Sequence, residues 1–284
     1  MEKNKSCYQY KKILFQDGLL NDSVDATYII HLHNNGRYDD IMEQLEKYHP
    51  TNLVYIVFNQ GYKKCEKELP KKTPAYDLTD TFLQIFKNAQ EKGYKNILIL
   101  EDDFQFSDKI REPSVCKDIN AFLLEKQNER FIYYLGCLPI IQITGLTNHN
   151  RGLLTLGTHS AIYSNAMREH IIHDHPQESM FDWDLFHNLN IFNYKRYLYK
   201  EPLCYQLFPE TENSKSWFNP LGIATITKFI LGTLSLDTKV EPGYSIFYMF
   251  SKILFLLLLL VMVLIGYKLW SYCIQFSKQR RKNR

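Results

Sequence analysis

Apolar positions in this chain follow two rhythms, and their alternation over the first two hundred residues predicts an α/β fold. Residues 27–32 and 53–58 are short runs rich in aliphatic and aromatic side chains and read as strands. Between them Ile41, Leu45 and Tyr48 mark one face of a helix that stops at His49-Pro50. Leu78, Phe82, Ile85, Phe86 and Ala89 form a second helical stripe, closed by Gly93, ahead of a third strand over 96–100. The order β-α-β-α-β predicts a parallel sheet. Further on, 117–126 predicts a helix, 131–135 a strand and 153–163 a bent or paired strand. Asn165 stands where a helix through Ile172 would be capped, and 181–189 predicts another helix. Residues 198–207 predict a last strand, which Pro202 confines to a sheet edge or splits in two. The polar, proline-bearing stretch 64–74 reads as a loop able to lie over a site.

The third strand is also where candidate chemistry begins. Ile97, Leu98, Ile99 and Leu100 run straight into Glu101, Asp102 and Asp103. Such an aliphatic run reads as a strand buried on both faces, and carboxylates at its carboxyl end sit where open α/β sheets bind ligands. An E-x-D spacing lets one carboxylate meet a divalent metal while its neighbour reaches a ribose or a second metal position. Handling a nucleotide diphosphate is the chemistry that needs this arrangement. The same acids also suit a solvated turn, a helix N-cap or a phospho-acceptor pocket, so the surrounding sequence has to decide.

Composition narrows the partners. The net charge is +3, yet the last seven residues carry five basic side chains and no acid, so the remainder sums to −2. A near-neutral body with a basic tail argues against nucleic acid as a partner and gives the tail a place at a membrane surface. The 20 Tyr and 18 Phe, spread along the chain, exclude a disordered protein. Cys7, Cys65, Cys116, Cys137, Cys204 and Cys273 have neither C-x-x-C spacing nor scaffold density, which suits reduced thiols and argues against zinc. An N-x-S match at Asn21-Asp22-Ser23 is too short to carry weight.

Near the carboxyl end, 253–267 contains no charged side chain. Fifteen residues of helix cover only about 22 Å of a hydrocarbon core about 30 Å thick. Snorkelling by Lys252 and Lys268, with Tyr244, Tyr248, Trp270 and Tyr272 as interfacial anchors, closes the difference. A spanning helix over 246–272 with a basic tail over 273–284 is expected. Residues 1–12 are polar and contain no signal-peptide core, which would leave the body in the cytosol, whereas the basic tail itself prefers the cytosol. The orientation is therefore contradictory. The apolar stretch 223–236, with Lys228, reads as a surface-lying helix or the last core element.

The stretch DLTDTFLQIFKNAQEKGYKNILILEDDFQF at 77–106 resembles the helix, strand and acidic turn of glycosyltransferase family 25, the lipooligosaccharide and procollagen galactosyltransferase type. FIYYLG at 131–136, TLGTHSAIYSNAM at 155–167 and MFDWDLF at 180–186 resemble that family's later motifs, in the same order. The likeness covers roughly 26–210. Where the family has a pair of arginines after the first strand, this chain keeps Arg37; a late Ser-Asp pair is represented only by Asn213-Ser214-Lys215.

The resemblance implies a GT-A type, Rossmann-like fold with a mixed, mostly parallel sheet flanked by helices. It divides the chain into an extension at 1–25, the transferase domain at 26–215 and a membrane-proximal segment at 216–245. It also implies a UDP-hexose donor carrying galactose or glucose, a hydroxyl acceptor on a glycan or protein, and inversion at the sugar. Mn²⁺ or Mg²⁺ would be held by Asp103 with help from Glu101 or Asp102, with Arg37 and His159 near the donor, although His159 equally suits a satisfied buried histidine. Asp182 matches the base that takes the acceptor proton, and Asp184 is the alternative. Both acids also stand at a helix start, where a carboxylate has a purely structural use. Two rival readings remain: a donor-binding module without turnover, and a metal-dependent phosphohydrolase. His170, His173 and His175 with Asp174 invite the hydrolase reading, although a solvated helix end accounts for them as well.

Overall fold

The computed structural model describes residues 6–209 and 222–282. Among them the strands are β1 (Tyr8–Leu14), β2 (Ala26–Leu32), β3 (Leu53–Asn59), β4 (Asn96–Glu101), β5 (Gln105–Phe106), β6 (Phe131–Ile143), β7 (His149–Ser164), β8 (Lys195–Tyr199) and β9 (Cys204–Tyr205). The helices are α1 (Tyr38–Lys47), α2 (Pro74–Glu91), α3 (Pro113–Glu125), α4 (Asn165–Asp174), α5 (Trp183–Leu189), α6 (Ile223–Thr233) and α7 (Gly243–Lys282). One mixed sheet has the order β1-β3-β2-β4-β7-β6-β8. Strands β2, β3 and β4 are parallel neighbours, as the β-α-β-α-β order requires, and β1 and β7 run against the other five strands.

Alternation along each strand divides the core in two. Tyr28, Ile30, Ile97 and Ile99 pack with Phe82 and Phe86 of α2 and Met167 of α4, while Ile29, Leu98 and Leu100 pack with Ile41 and Leu45 of α1 and Ile119 of α3. The class expected from sequence, a mostly parallel α/β sheet flanked by helices, is the observed one. Several boundaries differ. The helix after β7 is capped by Ser164, whose Oγ accepts from Met167 N at 3.2 Å, and not by Asn165. The last expected strand is split into β8 and β9, with Pro202 between them. The Asn213-Ser214-Lys215 stretch and the side chains of the basic tail lie outside the described residues.

The stretch 1–25, set apart as an extension, instead contributes β1, an edge strand paired antiparallel with β3 from Tyr8↔Asn59 to Leu14↔Leu53. The cysteine pattern suits a reducing compartment at least as well as an oxidising one, and here Cys7 and Cys65 form a disulfide across 58 residues of sequence. Near that bond the buried Lys67 ammonium donates to Tyr8 Oη (2.7 Å), Asn59 Oδ1 (2.6 Å) and Asp77 Oδ1 (2.5 Å), and burial holds its pKa below the usual lysine value. Bond and ion pair together pin the 61–73 loop to the sheet. Replacing both cysteines by serine is expected to lower stability by about 3 kcal/mol. Faster amide exchange in 61–73 than elsewhere would identify the loop as the part released.

Helix α7 belongs to two environments. Its first turns are built into the body: Tyr244, Tyr248 and Ser251 are buried, and Gln142 of β6 donates to Tyr248 O (3.0 Å) and Ser251 Oγ (2.5 Å). From Ile253 to Tyr272 its large apolar side chains are exposed, apart from half-buried Phe255. The stretch Gly243–Ile274 is long and apolar enough to cross a membrane. A core helix with that composition would be mostly buried, whereas only 6 % of its apolar window is.

Candidate active site

The carboxyl ends of β2, β3 and β4 open into a cleft of 860 Å³. Its walls include Arg37, Glu101, Asp102, Asp103, Asp182 and Asp184, so six of the seven residues singled out from sequence share one cavity. Strand β4 delivers Glu101 at the rim, and the following turn presents Asp102 and Asp103.

The three consecutive acids have different surroundings. Asp102 accepts from Leu32 N (3.2 Å), His31 Nδ1 (3.3 Å), Asn35 Nδ2 and Arg37 Nη1 (2.8 Å). Burial pushes its carboxyl up, but the bonds from His31, Arg37 and Asn35 outweigh that and hold it below the usual range. It fastens the end of β2 to the end of β4, and its oxygens are occupied by protein donors. Asp103 accepts from the same Arg37 Nη1 at 2.9 Å and from Gln206 Nε2 at 2.8 Å, and burial raises its pKa despite both. Glu101 is half-buried, with a long 3.5 Å contact from Thr158 Oγ1. Burial, then the nearby Asp103, Asp184 and Asp102, push its carboxyl up to about 8. With every acid ionised the rim would carry more negative charge than its neighbours compensate, and Glu101 and Asp103 therefore hold their protons more tightly than ordinary carboxyls.

Asp182 and Asp184 form a second acidic pair in the same cleft. Asp182 caps α5, accepting from Leu185 N at 2.9 Å. Asp184 accepts from Gly157 N at 3.0 Å, and burial followed by the Asp182 charge push it up to about 7. Gly157 reaches that position with φ +83°, in the left-handed region that favours glycine. Trp183 between them stacks on Phe82 at 4.7 Å and donates from Nε1 to Tyr163 Oη at 3.1 Å, so it serves the core.

His159 is not in the cleft wall. It is fully buried, with Nε2 3.5 Å from Tyr244 Oη, Nδ1 unpartnered, and a pKa pushed down to about 4 by burial. Its neighbour Thr158 takes the cleft position, as alternation on a strand requires. The histidine cluster lies elsewhere: His170 Nδ1 meets Asp174 Oδ2 at 2.6 Å, and His170 Nε2 lies 3.3 Å from His175 Nε2. Among the described residues no group of three or more His, Cys, Asp or Glu is arranged to hold a metal ion, and this includes the acids of the cleft. Two carboxylates remain a sufficient protein contribution for Mg²⁺ or Mn²⁺ when substrate phosphates and water complete the shell. A cation there would favour the ionised forms of Glu101 and Asp103, which burial and mutual repulsion disfavour without it.

Cleft residues not anticipated from sequence are Gln206, Thr158, Asn35 and the lysines Lys63, Lys64 and Lys228. Asn35 had a local signal in the Asn-Asn-Gly turn after β2, and Lys64 opens the polar loop expected to lie over a site, whose Pro74 also lines the cleft. Gln206 follows a two-residue strand, and Lys228 reaches the site from α6.

No family profile matches this chain, and no curated protein does. Among solved structures it is similar to a glycosyltransferase involved in glycosylation of the major capsid of PBCV-1, at 14 % identity, TM-score 0.31, over 54 % of this chain and 72 % of that one. A mannose-1-phosphate geranyltransferase from Thermus thermophilus matches at 12 % identity, TM-score 0.34, over 62 % and 73 %. A Bacillus anthracis structure, described as a glucose-1-phosphate thymidylyltransferase in complex with sucrose, matches at 11 % identity, TM-score 0.30, over 77 % and 79 %. All three carry transferase names. At these scores the likenesses carry no argument about activity, and function has to be argued from the cleft.

Proposed function

We propose that this chain is a membrane-anchored, metal-dependent glycosyltransferase that moves a hexose from a UDP-sugar to a hydroxyl on a glycan or protein, with inversion. The observation that carries the reading is the meeting, in one cleft, of rim carboxyls that burial and mutual repulsion push up (Glu101, Asp103), a half-buried acid pushed up to about 7 (Asp184) and three lysines. Asp103 with Glu101 would hold Mn²⁺ or Mg²⁺, which supplies Lewis-acid neutralisation of the departing diphosphate. Arg37 orients Asp103, and Lys63, Lys64 and Lys228 offer charge to donor phosphates.

Between the two candidate bases, Asp184 is better suited than Asp182. A general base works best with a pKa near the operating pH, and Asp184 is pushed up to about 7; each acid has one oxygen engaged by a backbone N–H, Asp184 by Gly157 and Asp182 by Leu185, and one left for the acceptor proton. The proton of the acceptor hydroxyl would pass to Asp184 as the oxygen attacks the anomeric carbon. The Cys7–Cys65 bond supports an oxidising compartment for the body, with the basic tail on the cytosolic side as the positive-inside preference favours.

A donor-binding module without turnover is the second reading. It draws on Arg37, which already pairs with both Asp102 and Asp103 and so offsets part of the charge a cation would meet. The test is release of UDP by the full chain in detergent, given Mn²⁺, a panel of UDP-hexoses and a panel of hydroxyl acceptors. Acceptor-dependent release that Asp103→Ala lowers at least a hundredfold supports the transferase. Tight donor binding with no release supports the module, and release unchanged in Asp103→Ala removes the metal from the reading.

A further inference from the structure

Helix α6 presents two opposed faces. Lys228, Leu231 and Gly232 line the cleft, while Ile226, Phe229 and Ile230, at i, i+3 and i+4, point away from it and are 58 %, 73 % and 39 % exposed. Isolated exposed apolar side chains are ordinary, but three large ones on one helical stripe are an unsatisfied surface. Their position relative to α7 indicates what covers them.

Leu231 of α6 shares a buried cluster with Leu236 and Tyr244, and partly buried Leu234 and Phe247 pack against the same cluster, so α6 is fixed against the first turn of α7. Only about 12 Å of helix separates Tyr244 from Lys252, after which the apolar side chains of α7 are bare. Exposed Met249 (53 %) and Phe250 (61 %) extend that bare surface back towards α6. The polar layer on each side of a hydrocarbon core is roughly 5–8 Å deep, and spanning helices tilt by about 20°, so α6 is within reach of it.

We propose that the outward face of α6 rests on the lipid bilayer as an in-plane amphipathic helix, making the lip of the cleft a membrane-contacting element. The contact continues the apolar surface of α7 and rests on α7 spanning the membrane. Because α6 carries lipid-facing side chains on one side and cleft-lining ones on the other, the bilayer forms the floor beneath one wall of the site.

The test uses the full chain in phosphatidylcholine nanodiscs, with and without bromine on the acyl chains, and reads the tryptophan emission added by Phe229→Trp. Leu14→Trp, at a 67 % exposed position on β1 at the far edge of the sheet, is the control. Bromolipid is expected to quench the added emission at 229 at least twofold more than at 14. In an Ile226→Glu, Ile230→Glu background the excess quenching at 229 should fall to the control value. Equal quenching at the two positions overturns the proposal, and so does quenching that survives the double substitution. No turnover enters the readout, so failure of the transferase reading and failure of the membrane contact are separate results.

Discussion

Asp184→Asn is expected to lower kcat by about 10²–10⁴ while leaving donor affinity within about twofold, the signature of a lost proton acceptor. The same variant should also be more stable than the parent at alkaline pH. A carboxyl whose pKa rises on folding, here from an ordinary 3.8 to about 7, binds its proton more tightly in the folded chain. Its contribution to stability is therefore complete below about pH 4 and is lost as pH climbs to about 7. Asparagine keeps an acceptor for Gly157 N and cannot ionise. Thermal midpoints of parent and variant should coincide near pH 4 and separate by pH 8.5, by on the order of 2 kcal/mol once partial exposure is allowed for. Asp182→Asn provides the contrast: asparagine still caps a helix, so stability is held and kcat falls less than tenfold. If Asp182→Asn were instead the inactive variant, the two acids would exchange roles.

A chain ending at residue 240 is expected not to fold, whereas one ending at Lys252 should keep the native body. The missing 243–251 turns hold Tyr244 and Tyr248, both buried, and removing either large aromatic side chain alone would be expected to destabilise by about 3–5 kcal/mol. Leu138, Leu231 and Leu236 would lose their cover as well, and Gln142 would lose two acceptors. Near-ultraviolet circular dichroism and amide exchange in β6 distinguish the two truncations. Native signals from the shorter chain would mean that these turns are a tether only.

What was legible in advance follows from the range of each signal. Burial on both faces turned β2, β3 and β4 into aliphatic runs, and the amphipathic stripe of α2 lay within eighteen residues, so these elements and the acidic turn were readable. Strand β1 was not, because an edge strand with mixed burial has no clean alternation and Lys11 and Lys12 interrupt it. Strands β6 and β7 run well beyond their expected lengths; their pairing shifts register at several points, and one irregularity lies between Pro139 and Ile141. The disulfide joins residues 58 apart without a spacing motif, and Gln206 meets Asp103 across 103 residues. Which of Asp182 and Asp184 is desolvated depends on tertiary burial, to which an Asp-Trp-Asp triplet gives no guide. Of the two readings of His159, the buried histidine is the observed one: one step along a strand turns a side chain to the other face, so Thr158 lines the cleft.

The continuity of α7 determines how the site is carried. A single helix from Gly243 to Lys282, with its root locked between β6 and α6, has no hinge between body and bilayer. If α7 spans a bilayer as proposed, it acts as a rigid mast that keeps the cleft from swinging between heights. Under the transferase reading, the acceptor hydroxyls would then be those presented at one fixed altitude above the lipid, a ruler set by the number of residues between Tyr244 and the first lipid-facing turn.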